Sequence, residues 1–166
     1  PNMSFKKDLS PLLSPRTIAV VGASEKFGAG SLVIDNLRAL GFSGEILPVN
    51  PRYTEVLGLE CYPSLSDIPP EMEIDCAAVL LGAAQILPVL KQAAQRGIRA
   101  AWAFASGFAE TGAAGAALQA ELRSFCDENG IVLCGPNCVG YVNLHDKVGT
   151  FSAPISPTLK MGNIGA

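Results

Sequence analysis

Three glycines that follow a short apolar run are the first residues whose spacing suggests chemistry. The run at 17–22 ends in Gly22, and Gly28 and Gly30 follow just before an amphipathic segment begins. A strand, a glycine-rich loop and a helix N terminus in this order form phosphate sites, because glycine lets the backbone approach and the first helical N–H groups are free. We therefore expect this loop to bind a phosphate group. Its spacing differs from G-x-G-x-x-G, so the loop alone does not identify the nucleotide.

The end of the next apolar run indicates which nucleotides could bind. An NAD site places a carboxylate there to bind the ribose hydroxyls, whereas this chain has Asn50, Pro51 and Arg52. An arginine attracts an additional phosphate on the ribose, which a carboxylate would repel. NADP and coenzyme A both carry such a phosphate, so the sequence favours these two ligands over NAD.

Small and polar residues also follow the fourth and fifth apolar runs. Ser106 and Gly107 are small enough for the backbone to approach a ligand. Glu110 stands at the entrance of a helix, where a carboxylate either caps the helix or takes part in function. Asn137 and Cys138 follow a glycine–proline turn. Because ligands of parallel sheets bind at the carboxyl ends of the strands, we expect these loops to meet at one edge.

The cysteines and the single histidine form no catalytic or metal-binding pattern. The five cysteines include no C-x-x-C pair, whereas a zinc site needs closer pairs or histidines. We expect free, mostly buried thiols, as in a reducing cytoplasm. His145 is expected in a surface loop, and no Ser-His-Asp or Cys-His arrangement can be built around it. No neighbouring group in the sequence activates Cys138 as a nucleophile.

Apolar runs alternate with helical patterns, and these elements must position the loops. The strands are predicted near 17–22, 45–50, 75–81, 99–105 and 131–134. The helices are predicted at 31–41, 84–97 and 113–130. This alternation predicts a single α/β domain with a Rossmann-like, doubly wound parallel sheet. Pro48 lies within the second run, which predicts an edge position for that strand or a kink near its end.

Length, composition and charge restrict the class of protein. The chain has 166 residues, of which 49% are hydrophobic and 16% charged, and these values are typical of one domain with a core. The net charge of −3 argues against a broad surface for nucleic acid. No apolar run approaches the roughly 20 residues of a membrane span, and the N terminus lacks the apolar core of a signal peptide. We expect a cytoplasmic protein without nucleic-acid or membrane partners.

Four segments, taken in order, resemble one protein family. They are SPRTIAVVGAS, GFSGEILPVNPRYTEVLGLECYPSLSDIP, SGFAETG and GPNCVG, and the likeness covers roughly residues 12–145. They resemble the N-terminal CoA-binding domain of NDP-forming (ADP-forming) acyl-CoA synthetases, which are relatives of the succinyl-CoA synthetase alpha-subunit. The resemblance implies that the parent protein makes an acyl-CoA from a carboxylic acid, CoA and ATP, through an acyl phosphate and a phosphohistidine. It implies coenzyme A as the ligand of this domain.

The resemblance also assigns two groups of binding residues. The first group would contact the phosphates and the adenosine of CoA: Gly22, Ala23, Ser24, Asn50, Pro51 and Arg52. The second group would lie near the reacting thiol and the phosphohistidine loop: Ser106, Gly107, Phe108, Asn137 and Cys138. Glu110 would support that phosphohistidine. His145 does not match the phosphohistidine motif, so the resemblance assigns no catalytic residue to this chain.

A domain organisation follows from the same resemblance. Residues 1–11 are expected to be a tag remnant and an N-terminal arm, residues 12–145 the CoA-binding domain, and residues 146–166 a linker and the truncated start of a second domain. The phosphohistidine and the site for ATP or ADP with magnesium would lie in other domains or a partner subunit of the synthetase. We therefore expect this chain to bind CoA without turnover.

Two other functions stay open at the level of sequence. An NADP-binding oxidoreductase domain would also use an arginine after the second strand. A non-catalytic, ligand-sensing module is the other alternative, since related synthetase-like chains are fused to a protein acetyltransferase. The GPNC turn favours the ligase part over the oxidoreductase domain.

Overall fold

Five parallel strands form the central sheet of the computed structural model, which describes residues 7–156, 158–160 and 162. The strands are β1 (Thr17–Val21), β2 (Glu45–Val49), β3 (Cys76–Val79), β4 (Ala100–Ala103) and β5 (Val132–Cys134). Their order across the sheet is β2-β1-β3-β4-β5, and every neighbouring pair is parallel. Each strand lies within its predicted range, which confirms the Rossmann-like α/β fold of a single domain.

Helices cover both faces of this sheet. They are α1 (Ser10–Leu13), α2 (Ala29–Leu40), α3 (Ala83–Gln95) and α4 (Ala113–Glu128). The bounds of the last three lie within two residues of the predicted ones, whereas the short helix α1 was not predicted. Because a right-handed crossover turns back in opposite directions on either side of β1, α2 lies on one face and α3 and α4 lie on the other.

The core therefore has two layers, one on each side of the sheet. Ile18 and Val20 of β1 pack in the layer of α2, and Ala19 and Val21 pack in the layer of α3 and α4. Trp102 of β4 is fully buried in the α2 layer, as expected for a strand residue between covered faces. A sheet buried on both faces explains why its strands are continuous apolar runs in the sequence.

The strand order opens a crevice between β1 and β3, because the chain leaves these neighbours in opposite directions. Two glycines bring the surrounding elements close together. Gly22 has φ +93°, and a Cβ there would lie 2.4 Å from the carbonyl oxygen of Leu80. A Cβ on Gly30 would lie 2.3 Å from the carbonyl oxygen of Gly22. The tight turn after β1 and the start of α2 thus require glycine at these two positions, because neither has room for a Cβ.

β2 forms an edge of the sheet, as the proline within it predicts. Pro48 pairs in register with Val20 of β1, and its carbonyl accepts a hydrogen bond of 3.0 Å from the N–H of Tyr62.

Two small antiparallel hairpins extend the fold beyond the sheet: Glu55–Val56 with Leu59–Glu60, and Val142–Asn143 with Val148–Gly149.

Part of the predicted linker, the chain that follows the second hairpin, packs on α2. The side-chain amide of Asn36 donates a hydrogen bond of 2.8 Å to the carbonyl of Phe151, and its oxygen accepts one of 3.0 Å from the N–H of Ile155. An α2 side chain buried in the fold therefore holds this segment. Most of the expected tag remnant, at 1–6, and most of the expected second-domain start, at 163–166, lie outside the described residues.

Candidate functional site

A cavity of about 440 Å³ opens at the carboxyl edge of the sheet, where β1, β2 and β3 end. Gly22 and Ser24 border it from the loop after β1. Asn50, Pro51 and Arg52 border it from the loop after β2. These five residues were predicted from the loops that contain them, and the crevice beside β1 brings them together.

The glycine loop presents backbone donors at the carboxyl edge of the sheet. Gly28 is the N-cap of α2, and its N–H donates a hydrogen bond of 3.2 Å to the hydroxyl of Ser31. The N–H of Ser31 in turn donates to the carbonyl of Gly28. Ala29 and Gly30 therefore hold the first helical N–H groups that remain for a ligand, at the positive end of the helix dipole. A Cβ on Gly28 would meet no atom within 4 Å, so this position faces open space.

The rim of the cavity carries two cations and, among the described residues that line it, no carboxylate. The cations are Lys26 from the glycine loop and Arg52 from the loop after β2. None of the ion pairs of the described residues includes either side chain. The carboxylate of Glu25 instead accepts a hydrogen bond from the N–H of Leu57. A rim with this charge attracts phosphate groups.

Asn50 joins the two loops that border the cavity. Its Nδ2 donates a hydrogen bond of 2.7 Å to the carbonyl of Ala23, and its Oδ1 accepts one of 2.9 Å from the N–H of Arg52. The backbone N–H of Asn50 donates to the carbonyl of Tyr62 at 2.9 Å. Ala23 is fully buried, so this predicted residue lies behind the cavity wall. The amide of Asn50 thus sets the position of Arg52 relative to the glycine loop.

One wall of the cavity comes from residues that the sequence analysis did not identify. Pro63, Leu65 and Val89 provide apolar surface, and Gln85 and Gln92 provide side-chain amides. Gln85, Val89 and Gln92 belong to α3. They are spaced by four and three positions, so they share one face of the helix. This spacing can be read from the sequence, but it indicates cavity-lining residues only when α3 is known to border the crevice.

A second cavity of about 380 Å³ continues toward the ends of β4 and β5. Leu80 and Leu81, which follow β3, line both cavities. Ser106 and Asn137 line the second cavity, as does Ala29 at the start of α2. The two cavities together, called the cleft below, therefore connect the loops after all five strands.

Two predicted residues pack beside the cleft. Phe108 is 1% exposed and belongs to the core layer of α3 and α4. Cys138 packs in the α2 layer, with its Sγ 3.6 Å from the Sγ of Cys134. The side chains of both residues thus contribute to the structure around the cleft.

Glu110 bonds to the backbone of its own turn and makes no side-chain capping bond to α4. Its carboxylate accepts hydrogen bonds from the N–H groups of Gly107 at 2.7 Å and Phe108 at 3.2 Å. These bonds, with that from Gly107 the strongest, hold the pKa of Glu110 below its ordinary value. Gly107 has φ +112°, a conformation that favours glycine. The carboxylate therefore fixes the turn between β4 and α4.

His145 lies at the opposite edge of the sheet from the cleft. It borders a surface depression with Arg16 and Gly44, which precede β1 and β2. Its side chain is 80% exposed, and its Nδ1 lies 2.8 Å from a carboxylate oxygen of Asp146. The expected surface-loop position is therefore observed, and His145 lies away from any ligand of the cleft.

The remaining sequence expectations concern thiols, metals and membranes. All five cysteines are free thiols, and three of them are buried. Among the described residues, no three His, Cys, Asp or Glu side chains are grouped as metal ligands. In the same part of the chain, no helix has the length and apolar character needed to cross a membrane.

Comparison with known proteins identifies the family. The family model described as "CoA binding domain" matches residues 16–143. The ADP-forming acetate–CoA ligase II of Archaeoglobus fulgidus is 40% identical over 160 residues, covering 95% of this chain and 23% of the relative. Trans-feruloyl-CoA synthase FCS1, from an unknown prokaryotic organism, is 38% identical, covering 86% of this chain and 20% of the relative. The chain thus spans less than a quarter of the length of these relatives.

A solved structure has the same fold. It is the dinucleotide-forming acetyl-coenzyme A synthetase 1 of Ca. Korarchaeum cryptofilum, in complex with phosphate and ADP, with a TM-score of 0.86 and 34% identity over 95% of this chain and 33% of that one. The alpha subunit of the ADP-forming acetate–CoA ligase II of Pyrococcus furiosus is 32% identical over 94% of this chain. These matches support the ligase interpretation over an oxidoreductase domain or a sensing module. The chain belongs to the family of CoA-binding domains, and it is homologous to the corresponding region of ADP-forming acetate–CoA ligases.

Proposed function

We propose that this chain is the CoA-binding part of an ADP-forming acid–CoA ligase and that CoA occupies the cleft. The observation that carries the proposal is the rim formed by Lys26 and Arg52, which has no carboxylate among its described residues. CoA has a diphosphate and a separate 3′-phosphate, so it needs positive groups at two places. The rim offers them on two different loops, held in register by Asn50.

The diphosphate of CoA would bind at the glycine loop. The free N–H groups of Ala29 and Gly30 and the hydroxyl of Ser24 would donate hydrogen bonds to its oxygens. Gly28 leaves open space beside these donors, so a phosphate can approach the backbone closely. Lys26 would neutralise part of the remaining charge.

The adenosine end would bind between α3 and the loop after β2. Pro63, Leu65 and Val89 offer apolar surface to the adenine ring, while Gln92 offers an amide to its polar edge. Arg52 is exposed at this end, where its guanidinium would bind the 3′-phosphate of the ribose. This contact distinguishes CoA from ligands that lack the 3′-phosphate.

The pantetheine arm would follow Leu80 and Leu81 into the second cavity. Its thiol would then arrive near Ser106 and Asn137, at the ends of β4 and β5. A carboxylic acid activated as an acyl phosphate would have to reach the thiol from the open side of the cleft. The role of this chain is to bind CoA and to orient its thiol for that attack.

Activation of the acid would take place in other domains or in a partner subunit. Support comes from the relatives, which are named as ADP-forming ligases and of which this chain covers only a part. One structural relative was solved with ADP and phosphate. ATP or ADP, with magnesium, would accordingly bind outside the residues described here. Such an enzyme uses CoA and ATP, so we expect it to act in the cytoplasm.

Direct binding measurements test the proposal. Calorimetric titration of the chain with CoA, NADPH and NAD, each at the same ionic strength, compares the two kinds of ligand that the sequence left open with NAD, which it disfavours. We expect CoA to bind most tightly and NAD to bind weakly. Tighter binding of NADPH than of CoA would contradict the proposal.

A further inference from the structure

Two thiols lie in contact where the last strand of the sheet ends. Cys134 is the final residue of β5, and its thiol donates toward the Sγ of Cys138 over 3.6 Å. Both residues are partly exposed, whereas Cys61, Cys76 and Cys126 are buried. A disulfide bond is about 2.05 Å long, so an approach of roughly 1.5 Å would join the two sulfurs.

The backbone around Cys138 is held from the sheet side. Its carbonyl accepts a hydrogen bond of 2.9 Å from the indole Nε1 of Trp102, and its N–H donates one of 3.2 Å to the carbonyl of Ala103. Asn137, the residue before it, lines the second cavity of the cleft. Side-chain rotation is therefore the movement that can bring the sulfurs together, and the partial exposure of both residues gives a small solute access to them.

We propose that Cys134 and Cys138 form a redox-active dithiol, which exchange with a small disulfide R–S–S–R oxidises to an intramolecular disulfide. The thiolate of Cys138 attacks one sulfur, the S–S bond of R–S–S–R breaks, and one R–S⁻ leaves and takes up a proton. Cys134 then gives its proton to solvent and attacks the Cys138 sulfur, which displaces the second R–S⁻. Two protein thiols lose two electrons in total, and R–S–S–R is reduced to two R–SH.

The surroundings of the two sulfurs determine this order of attack. Burial, and next the hydrogen bond to Cys138, raise the pKa of Cys134 to about 11, so Cys134 is protonated near neutral pH and acts as the second, resolving thiol. Burial raises the pKa of Cys76 to about 12 and that of Cys126 to about 11. These two buried thiols are therefore poor competitors for the small disulfide.

Oxidised glutathione is a suitable probe, because it tests the thiol pair without requiring CoA binding. The reduced chain is incubated with it, quenched with acid, and analysed by intact mass and by peptide mapping. We expect the wild-type chain to lose about 2 Da, to contain a Cys134–Cys138 cross-link and to release two glutathione thiols. Cys134→Ser should stop at one glutathione bound to Cys138. Cys126→Ser, the matched control, should behave like the wild type.

The wild-type peptide map shows whether the Cys134–Cys138 disulfide forms, even if a variant folds poorly. A wild-type chain that keeps five free thiols would overturn the proposal. So would glutathione that is bound mainly to the buried cysteines, or a mixed disulfide on Cys138 that persists while Cys134 is present. Circular dichroism of Cys134→Ser and Cys126→Ser shows whether the comparison is between folded chains.

Discussion

The side-chain amide of Asn50 donates a hydrogen bond of 2.7 Å to the backbone carbonyl of Ala23. This bond connects the loop after β2 to the loop after β1. Because the same side chain accepts a hydrogen bond from the N–H of Arg52, it also fixes the start of the segment that carries the guanidinium. Asn50 thereby sets the distance between the two places where the phosphates of the proposed ligand would bind.

Replacement of Asn50 by Asp should therefore affect both stability and binding. The variant keeps the acceptor for Arg52 but turns an oxygen toward the carbonyl of Ala23, so we expect the free energy of unfolding to fall by about 1–3 kcal/mol. The added negative charge should also weaken CoA binding. Urea unfolding and calorimetry measure the two effects.

Asn129→Asp provides the control for this variant. Asn129 donates a comparable hydrogen bond of 2.9 Å to the carbonyl of Phe125, at the end of α4. The Asn129→Asp substitution should lower the free energy of unfolding while leaving the affinity for CoA unchanged. If Asn50→Asp bound CoA as well as Asn129→Asp does, Asn50 would have no role in positioning the site.

Gly30→Ala and Gly28→Ala should separate packing from ligand access. The added Cβ at Gly30 would lie 2.3 Å from the carbonyl oxygen of Gly22, so we expect a loss of about 1–3 kcal/mol in unfolding free energy. The Cβ at Gly28 meets no protein atom, so we expect a loss below about 1 kcal/mol, together with weaker CoA binding. Equal unfolding midpoints in urea for the two variants would contradict the close packing of α2 on the turn after β1.

Low pH should weaken the turn that Glu110 holds. The N–H groups of Gly107 and Phe108 lower the folded-state pKa of Glu110 from its ordinary value of 4.5. The carboxylate therefore stabilises the fold above its unfolded-state pKa, and this contribution is lost as the pH falls through the folded-state pKa. Glu110→Gln keeps an acceptor but cannot titrate.

Urea midpoints measured against pH test this prediction. The difference between wild type and Glu110→Gln should be constant from about pH 7 to about pH 6 and should shrink below about pH 4.5. Glu121→Gln, on the exposed surface of α4, controls for the loss of one charge. A difference for Glu110→Gln that does not vary with pH would show that these hydrogen bonds do not contribute to stability.

The strands could be located from sequence, whereas their order could not. A strand buried on both faces, such as β3 (Cys76–Val79), is a continuous apolar run whatever its neighbours are. The same runs are compatible with several strand orders, and the order decides where the crevice opens. The packing of the chain on Asn36 was also hidden, because a polar helix residue does not reveal which distant carbonyls it binds.

Residue types at the site were easier to predict than their roles. Arg52 was identified because an arginine after the second strand has a direct chemical meaning. Asn50 was assigned to the ligand, but its side chain is occupied by Ala23 and Arg52, a pairing that depends on the approach of two loops. Gln85 and Gln92 lie on α3, far from any recognisable loop motif, so only the folded structure assigns them to the cavity.

The chain alone should not form a thioester. His145 is the single histidine of the sequence, and it lies at the opposite edge of the sheet from the cleft. We therefore expect no acyl-CoA above background when the chain is incubated with ATP, Mg²⁺, CoA and a panel of short and aromatic acids. Chromatography of the CoA pool measures the product, and a complete ADP-forming acetate–CoA ligase serves as the positive control. Turnover by this chain would require a phosphoryl carrier other than the phosphohistidine implied by the resemblance to NDP-forming acyl-CoA synthetases.

The contribution of Arg52 to CoA binding tests the central claim most directly. The measurement is calorimetric titration of CoA and dephospho-CoA into wild type, Arg52→Ala and Arg123→Ala, the last of which removes an exposed arginine on α4. An exposed contact with the 3′-phosphate should be worth about 1 kcal/mol, so wild type and Arg123→Ala should bind CoA about 5-fold more tightly than dephospho-CoA. Arg52→Ala should lose most of that difference. Equal affinities of the wild-type chain for CoA and dephospho-CoA would contradict the proposed binding of the 3′-phosphate at the rim.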